Sequence, residues 1–146
     1  MNIGLYSKIA RQHLIAGRSL IAEKGYTNSP ENIRQCRQDI MEMAANGNTE
    51  MEEISNRADF FSLSECRDLL FHVQEAQFTL PQIGEALGSL NLKFLGFEMR
   101  NQKVLRKFKD SHPNRSDLIS LSQWHEFELE NPDTFIGMYQ FWCQKL

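Results

Sequence analysis

The sequence lacks the glycine-rich loops with which many domains hold a nucleotide. Its 146 residues include eight glycines, and these are scattered along the chain. None of them completes a G-x-G-x-x-G pattern after a strand, and no glycine loop is followed by the lysine of a P-loop. The sequence therefore excludes the common nucleotide-binding motifs.

Cysteine is also scarce, and no C-x-x-C pair is present. The three cysteines, Cys36, Cys66 and Cys143, are far apart in the sequence. An odd count without paired spacing argues against a disulfide framework and for a reducing compartment. We interpret all three as buried structural thiols, because a free cysteine behaves as a small hydrophobic residue.

Long apolar runs and a strong excess of charge are missing too. Lys8 and Arg11 interrupt the first residues too early for a signal peptide, and no run approaches the roughly 20 residues of a membrane span. The net charge of -3 excludes a generally polycationic nucleic-acid binder. With 41% hydrophobic and 24% charged residues, the composition predicts a single soluble, cytoplasmic domain over residues 1–146, without a nucleic-acid or membrane partner.

Several helix starts are visible. Ser29 precedes Pro30, and Thr79 stands three residues before Gln82, which is the spacing of a capping box. The same type of signal predicts helices after Ser7, Ser62, Asn101 and Ser116, and Gly25 is placed to end the first of them. The stretch 49–57 is only weakly helical.

Strands are fewer. Residues 1–6 are strand-like, and 92–99 are predicted to form a strand that is buried on both faces. Residues 138–143 are aromatic and favour a strand, although a helix is an alternative over 134–144. A few strands among several helices indicate a helix-rich α/β fold whose sheet is completed by strands outside this sequence.

The candidates for chemistry are few. His72, Gln74 and Glu75 lie in the stretch 71–75, which has no clear period and which we interpret as a loop or an extended segment. His72 and Glu75 suit a proton acceptor and its partner, and a capping role is the alternative. His125-Glu126 lacks the second histidine of a zinc site, because position 129 is leucine.

Other charged and ionisable residues have simpler interpretations. The basic run of Lys103, Arg106, Lys107 and Lys109 is typical of a solvated helix face. The alternating Glu126, Glu128 and Glu130 are interpreted as solubilising, His112 as a solvated loop residue, and His13 as a hydrogen-bonded or half-exposed core residue.

The order of these segments resembles the C-terminal part of class I S-adenosylmethionine-dependent methyltransferases, and more narrowly of bacterial methyltransferases that are often joined to tetratricopeptide repeats. The resemblance rests on residues 4–11, 34–40, 67–75 and 124–142, and on the helix-plus-strand unit over 79–99. It implies that residues 1–7 end a central strand and that 138–144 form the final antiparallel strand. The fold it implies is the incomplete C-terminal portion of a Rossmann-like domain.

The same resemblance implies a substrate-side role. Tyr6 and Ser7 would face the cleft at the carboxyl end of the sheet, and the region through His72 and Glu75 would cover it, so these four residues are the expected substrate-binding residues. The family's glycine-rich turn and ribose-binding acid are absent. We therefore expect the chain alone to bind no cofactor, although S-adenosylmethionine is implied for a complete domain.

Two partner arrangements follow from that gap. Another protein would supply the missing cofactor-binding half, or the chain would self-associate through an exposed sheet edge. The alternative function is a non-enzymatic protein-interaction module derived from such a domain. Neither the methyl acceptor nor a catalytic residue can be assigned from the sequence.

Overall fold

The computed structural model describes residues 1–72 and 75–146, and it divides them into two compact units. Unit 1 comprises Met1–Ala10 and Ala76–Leu146, and unit 2 comprises Arg11–Glu75. The predicted helix-rich α/β class is confirmed. In chain order the described residues form β1 Asn2–Ser7, α1 Gln12–Lys24, α2 Pro30–Ala45, α3 Thr49–Ser55, α4 Leu63–Cys66, β2 Gln77–Phe78, α5 Leu80–Ser89, β3 Leu92–Phe97, α6 Gln102–Ser111, α7 Leu121–Glu130 and β4 Met138–Lys145.

Unit 1 is built on a mixed sheet with the strand order β2-β1-β4-β3. β4 is antiparallel to both β1 and β3, so that β1 and β3 run in the same direction. β2 is parallel to β1 and pairs with it only at Tyr6 and Ser7. Residues 138–145 are therefore a strand, which decides between the two alternatives for that segment.

The core of unit 1 lies on one face of this sheet. Tyr139, Phe141 and Cys143 alternate inward along β4, as expected for a strand with one covered face. They pack with apolar residues of α5, α6 and α7 in one hydrophobic cluster. At its centre the rings of Phe108 and Trp124 stack with centroids 3.6 Å apart.

Unit 2 is helical. Its core is one cluster of apolar side chains from α1, α2, α3 and α4 with the segments beside α4: Leu14, Leu20, Ile33, Cys36, Ile40, Met51, Ile54, Phe60, Cys66, Leu69 and Leu70. A π-helical turn, Arg67–Phe71, follows α4 directly. The helix that was expected to be weak over 49–57 is formed as α3, because Asn48 caps it and Met51 and Ile54 are buried.

The local start and stop signals are confirmed at most helices. The side chains of Thr79 and Gln82 form a full capping box at α5, and Ser29 caps α2 immediately before Pro30. Gly25 ends α1 with the left-handed backbone (φ 67°) that glycine adopts without strain. Asn101 caps α6 as predicted.

Three predictions are wrong. Ser7 does not cap a helix: it is the last residue of β1, and α1 begins at Gln12. Ser116 precedes only a short 3₁₀ turn, and Ser120 caps α7. β3 is not buried on both faces, because Lys93 and Leu95 alternate with the buried Phe94 onto a face that is open to solvent.

The cysteines agree with the prediction of buried structural thiols. Cys36, Cys66 and Cys143 are all free and buried. Burial raises the pKa of the Cys36 thiol to about 12 and also raises that of Cys66, so both are inert structural thiols. Among the described residues, no helix is both long and apolar enough to cross a bilayer.

Candidate functional site

The carboxyl end of β1 in unit 1 places Ser7 in the interior. Its backbone N–H donates to Gly137 at 3.0 Å, and the backbone N–H of Ala10 donates to its Oγ at 3.1 Å. The side chain is fully buried. A hydroxyl at such a position needs partners, because an unpaired buried polar group is costly.

Those partners are Glu128 of α7 and Tyr139 of β4. Ser7 Oγ lies 2.6 Å from Glu128 Oε1 and 3.1 Å from the Tyr139 hydroxyl. The Tyr139 hydroxyl lies 2.9 Å from both oxygens of Glu128. All three side chains are fully buried, so they form a polar cluster, Ser7–Glu128–Tyr139, inside the apolar core of unit 1.

The charge of the Glu128 carboxylate is the main energetic cost of burying this cluster. The ion pairs found within the described residues do not include Glu128. Burial raises the pKa of Glu128 above its ordinary value of 4.5, and the hydrogen bonds from Ser7 and Tyr139 oppose that rise without cancelling it. Burial also raises the pKa of Tyr139, which stays a neutral phenol.

A protonated Glu128 closes the cluster into a ring of hydrogen bonds. Glu128 then donates to Tyr139, Tyr139 donates to Ser7, and Ser7 donates back to the other oxygen of Glu128. Every hydroxyl hydrogen has an acceptor in this neutral ring. The cluster can therefore accommodate a neutral Glu128 without leaving a hydroxyl hydrogen unpaired.

Sequence reasoning missed Glu128 and Tyr139. Glu128 was interpreted as solubilising together with Glu126 and Glu130, and for Glu128 this is wrong, because it is buried. The signal was present in the helical period: Glu128 follows Trp124 by four residues and so shares its inward face.

Tyr6 lies on the other face of the sheet. It pairs with Gln77 on one side and Met138 on the other, and its side chain is partly exposed. The structure thus places the two adjacent candidates, Tyr6 and Ser7, on opposite faces of one strand end. Their role in binding a substrate stays a prediction.

A groove of about 370 Å³ opens at this end of the sheet in unit 1. It is lined by residues 98–101 after β3, by 134–136, and by Met138 and Gln140. Ile136 is held there at φ 36° and ψ 48° and is 70% exposed. A β-branched residue in the left-handed region is strained, and such strain is concentrated at functional sites.

Ile136→Gly is therefore expected to stabilise the protein. The left-handed backbone costs a β-branched residue about 1–2 kcal/mol, and the greater unfolded-state entropy of glycine offsets part of the relief, so we expect a gain of about 0.5–1 kcal/mol. Urea unfolding measures this gain. Ile119→Gly is the control, because Ile119 is also exposed but has a negative φ, and it should be less stable than the wild type. A destabilised Ile136→Gly variant would mean that the side chain contributes more by packing than its backbone costs.

His72 and Glu75 lie in unit 2, so Tyr6 and Ser7 belong to one unit and these two candidates to the other. His72 is exposed just after the π-helical turn. Glu75 is engaged differently: its carboxylate accepts hydrogen bonds from Arg11 at 2.7 and 2.8 Å and from Arg18 at 3.2 Å. Gln74, which the sequence grouped with His72, lies outside the described residues, as does part of the predicted loop over 71–75.

The other ionisable candidates are also placed. His13 is nearly buried and accepts a hydrogen bond from Arg57 at 2.9 Å, as a core histidine was expected to do. His112 is not simply solvated: its ring stacks on Phe108 with centroids 4.4 Å apart. The basic run on α6 is exposed, which confirms the solvated face.

Among residues 1–72 and 75–146, no three His, Cys, Asp or Glu side chains are grouped so that they could hold a metal ion. The sequence matches no protein-family model and no curated protein.

Proposed function

We propose that this chain is the C-terminal, substrate-side portion of a class I S-adenosylmethionine-dependent methyltransferase, and that it is inactive without a cofactor-binding half. The observation that carries the proposal is the direction of three strands. β1 and β3 run in the same direction, and β4 lies between them and is antiparallel to both. The resemblance assigns a central strand, a late helix-plus-strand unit and a final antiparallel strand to these same segments, and it implies the truncated Rossmann-like origin of the fold.

The open edge of β1 supports the proposal that another polypeptide supplies a neighbouring strand. Within the described residues, β2 covers only Tyr6 and Ser7 on that side, so the edge is open from Asn2 to Leu5. Backbone hydrogen bonds to β4 come from Met1 and Ser7, and by alternation Asn2 and Gly4 direct their N–H groups to the open side. An open edge of this kind is a template for another strand.

The partial exposure of side chains on the other face of the sheet supports the same conclusion. Tyr6, Met138 and Trp142 lie on the face opposite the core cluster, and Trp142 is 49% exposed. Strands of doubly wound domains have helices on both faces. Apolar side chains on this face therefore suit cover by helices from a second polypeptide.

The chemistry fits a substrate-side role. Methyl transfer needs alignment of donor and acceptor, and a base only where the acceptor carries a proton. Tyr6 and the groove beside Ile136 would contact the acceptor, and the Ser7–Glu128–Tyr139 cluster would hold the end of β1 in place. For His72 and Glu75, a role in substrate binding rests on the resemblance alone.

Calorimetric titration tests the proposal. We expect S-adenosylmethionine to give no binding heat with the chain alone, and saturable binding when the product of the adjacent upstream reading frame is added in equimolar amount. Tight binding by the chain alone would contradict the missing half. Absence of binding in both titrations would leave the interaction module, the alternative function that the open edge also favours.

The substitution Asn2→Pro tests the open edge of β1 without changing the rest of the fold. Proline at this position removes an N–H from the open side and leaves the pairing with β4 intact, so association through the edge should weaken at least about tenfold. Asn2→Ala is the control, since it also loses the 2.9 Å hydrogen bond to Glu98 but keeps the N–H. Sedimentation of the chain alone, and of its mixture with the upstream product, tells self-association from partner binding. Equal association of both variants would show that the edge is not used.

A further inference from the structure

Two arginines in unit 2 donate to one carboxylate, and the charge of that carboxylate also acts on a third arginine. Arg11 donates to both oxygens of Glu75 through Nε and Nη2, at 2.7 and 2.8 Å. Arg18 donates to the same carboxylate at 3.2 Å and to the carbonyl of Leu69 at 3.1 Å. Arg57 donates from Nε to His13 at 2.9 Å, and the charges of Arg11 and Glu75 act on its pKa in opposite directions.

Positive charge exceeds negative charge in this cluster. The side chains of Arg11 and Glu75 are only 9% and 6% exposed. Desolvation lowers the pKa of Arg57, and the charge of Arg11 lowers it further. Asp59 and Glu53 oppose that shift, but both are exposed. Two guanidinium groups thus pair with one buried carboxylate and a third has only its weaker influence, an arrangement whose desolvation cost favours a further anion.

Donors remain available for such an anion. Arg18 Nε is buried and has no acceptor among the described residues. Arg57 uses its Nε on His13, and no hydrogen bond from its two terminal nitrogens is found within residues 1–72 and 75–146. Arginine presents these nitrogens as a planar fork that matches the oxygens of a carboxylate or a phosphate.

We propose that the Arg11–Arg18–Arg57 cluster is a binding site for an oxyanion, namely the carboxylate or phosphate group of a small molecule, and that Glu75 occupies part of this site in the absence of the ligand. The inference goes beyond the proposed methyl transfer and does not depend on it.

Anion titrations of the full chain test the site. Inorganic phosphate and succinate are the two probes, each added at constant ionic strength in exchange for chloride, and binding is followed by calorimetry and by the midpoint of thermal unfolding. We expect saturable binding of at least one probe, and the stronger of the two identifies the class of ligand. Arg18→Gln and Arg57→Gln should each weaken it about tenfold or more. Arg34→Gln is the control, because Arg34 is exposed on α2 in the same unit.

The variant Glu75→Gln tests the proposal even if the arginine variants do not fold. Removal of the internal carboxylate frees two guanidinium groups, so the variant should bind the probe more tightly than the wild type and gain more thermal stability from it. Response to the probes no greater than to chloride would overturn the proposal. So would equal weakening by Arg34→Gln, or a Glu75→Gln variant that binds no better than the wild type.

Discussion

Glu128→Gln is expected to remove a fall in stability that the wild type shows as the pH rises from 4.5. Glu128 has a raised pKa in the folded protein and an ordinary one in the unfolded chain. Between these two values the folded state binds more protons, so the free energy of unfolding falls with pH by up to about 1.4 kcal/mol per unit. The contribution is complete below pH 4.5 and is lost as the pH passes through the raised value.

Glutamine is neutral at every pH and nearly the same size. Its amide can donate to Tyr139 and accept from Ser7, so the hydrogen-bonded ring is kept. Urea unfolding from pH 4.5 to about pH 8 should therefore show the variant gaining on the wild type as the pH rises. Glu130→Gln, an exposed change on the same helix, should leave the wild-type profile unchanged. A wild type that gains on Glu128→Gln with rising pH would mean that the buried group is stabilised as a carboxylate.

The sequence predicted those features whose partners are close along the chain. The capping box of Thr79 and Gln82 spans three residues, and Gly25 needs only the end of its own helix. Ser7 Oγ accepts the N–H of Ala10 as a capping serine would, but α1 begins only at Gln12, so Ser7 ends β1 instead. Its buried contact with Glu128, 121 residues away in the sequence, has no local signal.

The prediction of which residues are buried failed for a related reason. Leu95 looked like an inward residue of an apolar strand, but it lies with Lys93 on the exposed face of β3. Glu128 was grouped with charged neighbours by its spacing of two, although the helix places it with Trp124. The Arg11–Glu75 pair could not be foreseen, since no periodic pattern links residues 64 positions apart.

The two tryptophans are expected to respond very differently to truncation. Trp124 is 1% exposed, stacks on Phe108 and donates from Nε1 to the carbonyl of Leu118 at 3.1 Å. Trp124→Ala leaves a cavity and an unpaired carbonyl, so we expect a loss of about 3–5 kcal/mol. That is a large share of the roughly 5–15 kcal/mol that stabilises a small domain.

Trp142→Ala is the corresponding substitution on the face of the same sheet that is opposite the core cluster. Half of this side chain is already in water, so its loss should cost the isolated chain less than about 1 kcal/mol. Urea unfolding followed by far-ultraviolet circular dichroism compares the two, since fluorescence would change with the tryptophan itself. If the chain works with a second polypeptide on that face, Trp142→Ala should weaken their association and leave the fold intact. Similar losses of stability for both variants in the isolated chain would mean that Trp142 is already covered in solution, which would favour self-association.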